Sequence, residues 1–172
     1  MYRDIFTQII KFVFLIVLQV FVVNQMLQYN LVNPYIYPLF ILLLPVNTSF
    51  FLLLCASFFM GLMVDQLQFT SGIHAAATVF MGFLRMFFLR TTLSKENFEK
   101  NIQPNIRNKG LAWFSVYAII LLLAHHTVLF FLEVFTFGEF FFTILKTVLS
   151  ALVSLLIIIL LEYLLMPLSK KQ

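Results

Sequence analysis

Charged residues are scarce in this chain. Its 172 residues include only 11 Lys and Arg and 7 Asp and Glu, whereas 62% of them are hydrophobic. A soluble domain of this composition would leave most of its 23 Phe on a surface that so few charges cannot keep in solution. Disorder is excluded as well, because disordered segments have little apolar surface to bury. The composition predicts an all-α polytopic membrane protein of about five to seven spans.

Cysteine and catalytic motifs are equally sparse. The single cysteine, Cys55, lies in an apolar run, so no internal disulfide can form. The sequence has no nucleotide-binding loop, no nucleophile–base–acid set and no cluster of metal ligands. His125 and His126 are adjacent and point about 100° apart on a helix, which favours packing or interhelical hydrogen bonding over a metal site. We therefore expect no catalytic, cofactor-binding or metal site, and no enzymatic activity.

Apolar runs organise residues 1–172 into one membrane domain. Six helices are predicted, at about residues 5–24, 35–45, 49–64, 73–89, 111–132 and 140–166. The first run lacks the small-residue cleavage site of a signal peptide, which favours a retained helix. Pro45, followed by Asn47 and Thr48, separates the second run from the third. Residues 35–44 reach only half of the roughly 30 Å hydrocarbon layer as a helix, so a re-entrant segment is the alternative there.

Basic residues set the predicted topology. They concentrate near Arg3 and Lys11, in a loop at 90–110, and at Lys170 and Lys171. Lys and Arg accumulate in short cytoplasmic loops, so these three regions should share the cytoplasmic side. That arrangement requires residues 35–64 to cross twice. The sequence thus predicts six crossings with both termini cytoplasmic, and the linkers left outside carry only acidic charges: Asp65, Glu133 and Glu139.

Four ionisable residues fall within predicted spans. Lys11, Arg85, Lys146 and Glu162 are functional candidates, although long side chains near helix ends can simply reach the interface. Lys146 and Glu162 lie about 24 Å apart on one helix, so their partners must come from other helices. Depth in the bilayer favours two interhelical ion pairs: Arg85 with Glu162 near the inner face, and Asp65 with Lys146 near the outer face.

Two predicted helices carry a stripe of small and polar residues. At 100° per residue, each stripe falls on one helix face. Small and hydroxylated residues let membrane helices approach closely. The faces serve either packing within this chain or docking of another membrane protein. Their members are His74, Thr78, Gly82 and Arg85 on the fourth helix, and Thr143, Thr147, Ser150 and Ser154 on the sixth.

The hairpin between the third and fourth helices has a specific pattern. Gly61-Leu-Met-Val-Asp65 precedes Gly72-Ile-His74-Ala-Ala, and Phe-Leu-Arg85 follows. Gly61 allows close helix packing, Asp65 can cap or end a helix, and Gly72 can supply a positive-φ turn. Together with the Pro-punctuated run at 35–45, the pattern resembles the rod-shape-determining MreD family, in particular Bacteroidota-like members. The resemblance covers about residues 33–90.

This resemblance implies a non-enzymatic component of the bacterial cell-elongation complex in the inner membrane. Such a protein controls cell shape by scaffolding peptidoglycan synthesis through MreC. The actin-like filament protein and the elongation glycosyltransferase and transpeptidase are the further partners it implies, with no role for nucleic acid. The candidate packing or partner-contact residues are Gly61, Asp65, Gly72, His74, Thr78, Gly82, Arg85, Thr147, Ser150 and Ser154.

A different class of function stays open. The architecture of the MreD family is similar to that of the substrate-binding subunits of vitamin uptake transporters, so a small-solute-binding subunit is the alternative. Those subunits dock their energising module on an Ala-rich face of the first helix, but residues 5–20 here contain no Ala. The single Trp, Trp113, is predicted near the inner end, whereas an externally open vitamin pocket needs aromatics outside. Both features favour the scaffold.

Overall fold

The computed structural model describes residues 2–26, 31–99, 102–135 and 139–165, and these residues form helices and connecting segments without strands. The all-α membrane fold is therefore confirmed. In this described part of the chain, five helices, rather than the predicted six, are long and apolar enough to cross a membrane. They are α1 (Tyr2–Leu18, continued by a π-helical turn Gln19–Val23 and by Asn24–Met26), α3 (Phe50–Gln68), α4 (Ile73–Thr92), α7 (Leu111–Val134) and α8 (Phe140–Leu165). The short helices are α2 (Leu39–Leu42), α5 (Lys95–Glu99) and α6 (Ile106–Lys109).

Residues 31–46, which we name the crossing segment, do not form the predicted helix over 35–45. Only α2 within the segment is helical. Proline explains the difference, because Pro34, Pro38 and Pro45 remove backbone donors and disfavour helix in the residues before them. The segment is nonetheless deeply buried, with Ile36 and Leu42 fully inaccessible to solvent. It is an irregular chain enclosed by helices.

The crossing segment runs through the interior beside α4. Near its start, the Tyr35 ring lies 5.4 Å from the His74 ring at the first turn of α4. Near its end, the Leu44 carbonyl accepts a hydrogen bond from Arg85, eleven residues or about 16 Å further along α4. The segment therefore passes from one end of the bundle toward the other rather than turning back as a re-entrant loop would. Among the described residues, the bundle thus has five membrane-length helices and one irregular segment that runs between the same two ends.

The bundle has two chemically different ends. The basic end contains the start of α1, residues 93–99 and 102–110, and the end of α8. Lys11, Arg107 and Glu162 line a common cavity there. The acidic end contains the α3–α4 turn and the α7–α8 link, with Asp65, Glu133 and Glu139. The first and last described residues thus lie at the same end. Lys170 and Lys171, which also entered the topology prediction, lie outside the described residues.

Helices α3 and α7 end later than predicted. Helix α3 continues to Gln68 and α7 to Val134, and each is followed by a phenylalanine in the left-handed conformation, Phe69 with φ 56° and Phe135 with φ 45°. The α3 amino terminus is capped by Ser49, since the Ser49 hydroxyl accepts from the Leu52 amide. The predicted 90–110 loop contains α5 and α6.

The crossing pattern places α5 and the start of α8 on opposite sides of the membrane. Lys95→Cys and Glu139→Cys, each in a Cys55→Ser background, introduce one cysteine at each place, and both positions are exposed. Because α7 lies between them, we expect the two cysteines to react with a membrane-impermeant maleimide from opposite faces of sealed vesicles. Labelling of both cysteines from the same face would contradict the fold.

Candidate functional site

Gln19 binds the backbone of the crossing segment at its acidic half. Irregular backbone at membrane depth needs partners inside the protein, because lipid offers none. The Gln19 Oε1 accepts from the Ile36 amide at 2.6 Å, and its Nε2 donates to the Pro34 carbonyl at 3.2 Å. Gln19 is fully buried and begins the π-helical turn of α1. Our sequence reasoning missed it, although an amide far from the ends of a long apolar run was an available signal.

Helix α8 supplies two further acceptors to the same half. The Ser150 hydroxyl accepts from the Asn33 amide at 2.9 Å, and the Ser154 hydroxyl accepts from the Tyr35 amide at 2.8 Å. Both serines are fully buried. The two serines are one helical turn apart on α8. That spacing is close to the distance between the Asn33 and Tyr35 amides, which are two residues apart in extended chain. The serines of the predicted α8 face thus bind this chain's own backbone.

Tyr117 and Arg85 bind the basic half of the crossing segment. The Tyr117 hydroxyl donates to the Leu42 carbonyl at 2.9 Å, and the Arg85 Nη2 donates to the Leu44 carbonyl. The Arg85 Nε also donates to the Tyr117 hydroxyl at 2.9 Å. Beyond these carbonyls, the Val46 amide donates to the Ile102 carbonyl at 3.1 Å. Arg85 is 1% exposed, so its guanidinium serves as a multiple donor inside the bundle.

Asp65 links the end of α3 to the start of α4. Its carboxylate accepts from the backbone amides of His74 at 3.1 Å and Ala75 at 2.9 Å, and from the Thr70 hydroxyl at 2.5 Å. The His74 Nδ1 lies 3.0 Å from the same carboxylate. Gly72 precedes α4 with φ 86° and has no side chain to cap it, so Asp65 satisfies those first-turn amides instead.

Two glycines bring α3 and α4 close together. A Cβ at Gly61 would overlap the side chain of Thr78 and the backbone of Ala75, and a Cβ at Gly82 would overlap the Ser57 hydroxyl. Thr78 is itself fully buried and donates to the His74 carbonyl at 2.5 Å. The stripe predicted on α4 therefore packs against this chain and is not an exposed docking face.

All three histidines converge on the two tyrosines of the crossing segment. The Tyr35 ring centroid lies 5.4 Å from that of His74, 6.1 Å from that of His125 and 5.6 Å from that of His126. The Tyr37 hydroxyl lies 2.7 Å from the His125 Nε2. His126 and Ser154 are similarly joined, with the imidazole Nε2 3.2 Å from the hydroxyl. These contacts agree with the packing and hydrogen-bonding interpretation of the His pair.

The histidine cluster retains polar atoms without protein partners. Within the described part of the chain, the buried His74 Nε2 and His125 Nδ1 have no hydrogen-bond partner. No group of three or more His, Cys, Asp or Glu in that part is arranged to hold a metal ion. The cluster is best described as an aromatic and imidazole core that surrounds the irregular backbone.

Both predicted interhelical ion pairs are wrong. Lys146 pairs with Glu133 across α7 and α8, with 3.0 Å between Nζ and Oε2, and its ammonium lies 4.4 Å from the Phe130 ring centroid. Asp65 pairs with His74 instead of Lys146. The direction in which each side chain points depends on helix rotation, which the sequence does not give.

The predicted Arg85–Glu162 pair fails for the same reason. Arg85 points into the bundle toward the crossing segment, whereas Glu162 lines the cavity at the basic end. On α8, Thr143 and Thr147 are buried within the chain like the two serines of their face. Among the described residues, the Thr147 hydroxyl has no hydrogen-bond partner.

The geometry defines a class of protein: a multi-pass membrane bundle whose interior is filled by an irregular segment of its own chain. Comparison with family models, with curated proteins and with solved structures gave no match for this chain. The MreD resemblance therefore stays a prediction from the residues at 33–90.

Removal of the Gln19 amide should destabilise the bundle. In Gln19→Leu, the Ile36 amide and the Pro34 carbonyl lose their partner, and each unpaired buried group costs roughly 1–3 kcal/mol. We expect a lower unfolding temperature in detergent, followed by circular dichroism. Gln8→Leu is the control, because Gln8 lies on the same helix beside an apolar groove. Equal unfolding temperatures for the two variants would contradict this role of Gln19.

Proposed function

We propose that this chain is a non-enzymatic scaffold of the bacterial cell-elongation complex, similar to MreD, and that it acts through MreC. The pattern at residues 61–85 and the Pro-punctuated run before it support the family. The structure adds support for a scaffold of some kind, because the polar groups of the predicted helix faces bind the chain's own backbone. Ser150, Ser154 and Arg85 of these faces hold the fold together.

The filled interior is the observation that carries the proposal. Ile36, Tyr37 and Leu42 occupy the centre of the bundle with no solvent exposure. A solute-binding subunit needs a pocket there, typically about 300–1,000 Å³ in volume. The cavity beside Tyr35 at the acidic end measures about 190 Å³, which falls short of that range. A vitamin-like solute pocket that opens into the bundle centre from the acidic end is therefore disfavoured.

Orientation follows from charge. We place the basic end in the cytoplasm, because Lys and Arg accumulate in cytoplasmic loops of inner-membrane proteins. Residues 93–110 can there contact anionic lipid or cytoplasmic members of the complex. The acidic end then faces outward, and the α3–α4 turn lies on the side where peptidoglycan is assembled.

Phe69 is the contact residue that we assign on that turn. Its side chain is 95% exposed, and its φ of 56° is unfavourable for a bulky residue. Asp65 and His74 are 1% exposed and cannot touch a partner directly. They fix the shape of the turn that presents Phe69.

We predict that depletion of this protein rounds or widens a rod-shaped cell, because lateral wall synthesis loses its membrane scaffold.

Asp65→Ala and Phe69→Ala should both weaken co-purification with MreC, the first by opening the turn and the second by removing the contact. Glu139→Ala and Phe6→Ala are the matched controls, since both residues are exposed and lie off the turn. Protein levels in membranes are measured in parallel.

Crosslinking in membranes, followed by identification of the attached proteins, tests the partner directly. A depleted strain that keeps its shape, together with a purified chain that retains a tightly bound vitamin-like solute, would contradict the scaffold and favour the transporter subunit. Crosslinks to MreC that persist in the control variants and fall in Phe69→Ala would support it.

A further inference from the structure

The basic end contains a cavity that the scaffold function does not use. Its volume is about 550 Å³, within the range of small-molecule pockets, and it lies between α1, residues 103–108 and α8. One part of its lining is polar and includes Lys11, Arg107 and Glu162. Another part is apolar and includes Phe14 and Leu43. A ligand that fits it must therefore be amphipathic.

Glu162 is the unusual member of this lining. The residue is only 7% exposed, and its Oε2 has no hydrogen-bond partner among the described residues. A buried carboxylate oxygen without a donor is costly, so such an atom needs a donor from water, an ion or a ligand. The carboxylate thus offers an acceptor for a cationic N–H donor inside the cavity.

Two cationic side chains line the same space. Lys11 is partly exposed on α1, and Arg107 is exposed on α6. An amine would satisfy Glu162, and an anionic group next to it would be attracted by Lys11 and Arg107. The complementary ligand therefore carries an ammonium and a phosphate on one short headgroup, and is zwitterionic.

The depth of the cavity points to a lipid. Lys11 lies five residues inside the apolar span that begins at Phe6, and Glu162 lies three residues before the end of α8 at Leu165. These spacings correspond to about 5–8 Å along a helix, which is the level of the boundary between headgroups and acyl chains. The apolar wall at Phe14 and Leu43 suits the glycerol and upper acyl region.

We propose that this cavity binds the headgroup of phosphatidylethanolamine. The ammonium donates to the Glu162 carboxylate, the phosphate lies toward Lys11 and Arg107, and the acyl chains leave along Phe14. This lipid site does not depend on the scaffold function, and its test has a separate readout.

The test measures lipids retained by the full-length protein. The protein is purified from vesicles with equal parts phosphatidylethanolamine, phosphatidylglycerol and phosphatidylcholine, and bound lipid is counted by native mass spectrometry. We expect about tenfold more phosphatidylethanolamine than phosphatidylcholine, because the quaternary ammonium of choline cannot donate the hydrogen bond to Glu162. Glu162→Gln should remove this preference. Glu139→Gln, the same change at an exposed position of the acidic end, should keep it.

Two further measurements test the phosphate contact and whether the ligand is a lipid or a soluble headgroup. Lys11→Gln combined with Arg107→Gln should lower retention of phosphatidylethanolamine and phosphatidylcholine alike, because both lipids carry the phosphate. Water-soluble glycerophosphoethanolamine should fail to displace the lipid, since it lacks acyl chains. The proposal would be overturned if the unsubstituted protein retained all three lipids equally, or if the soluble headgroup displaced the lipid. Both outcomes are measured on the unsubstituted protein, so neither depends on the folding of a variant.

Discussion

Every backbone amide and carbonyl inside a bilayer must find a partner within the protein, and this requirement shapes the whole structure. Five helices satisfy their own backbone groups with hydrogen bonds inside each helix. The crossing segment cannot do so, because prolines interrupt it. Side chains from four helices therefore bind its backbone: Gln19 from α1, Ser150 and Ser154 from α8, Tyr117 from α7 and Arg85 from α4. Burial of Arg85, Ser150 and Ser154, which were candidate contact residues in the sequence, is explained by this one requirement.

Composition and hydrophobic runs were sufficient to predict the all-α membrane class and five of the six predicted helices, because apolar length directly measures the ability to span. Close packing at Gly61 and the turn at Gly72 also followed from residue type. The predicted helix over 35–45 was wrong, since a buried irregular segment is as apolar as a helix. The two ion pairs failed because pairing needs the rotation of each helix and the path of the crossing segment, neither of which a single sequence contains.

The filled interior has consequences for function. A bundle whose centre is occupied by its own chain presents its chemistry at its ends and on its lipid-facing sides. The acidic end presents an exposed phenylalanine on a turn fixed by a buried carboxylate, and the basic end presents a charged cavity at interface depth. The first suits a protein partner and the second suits a phospholipid, so a scaffold can be anchored in its membrane and docked to its complex through different ends.

Hydrogen–deuterium exchange of the full-length protein in detergent or nanodiscs tests most directly whether side chains bind the backbone of the crossing segment. The amides of Asn33, Tyr35 and Ile36 have side-chain acceptors and are enclosed by helices, so they should exchange as slowly as the central amides of α7. Exchange at these positions as fast as in residues 102–105 of the connecting loop would show that the segment is not held in the interior, and would contradict the structure on which both functional proposals are built.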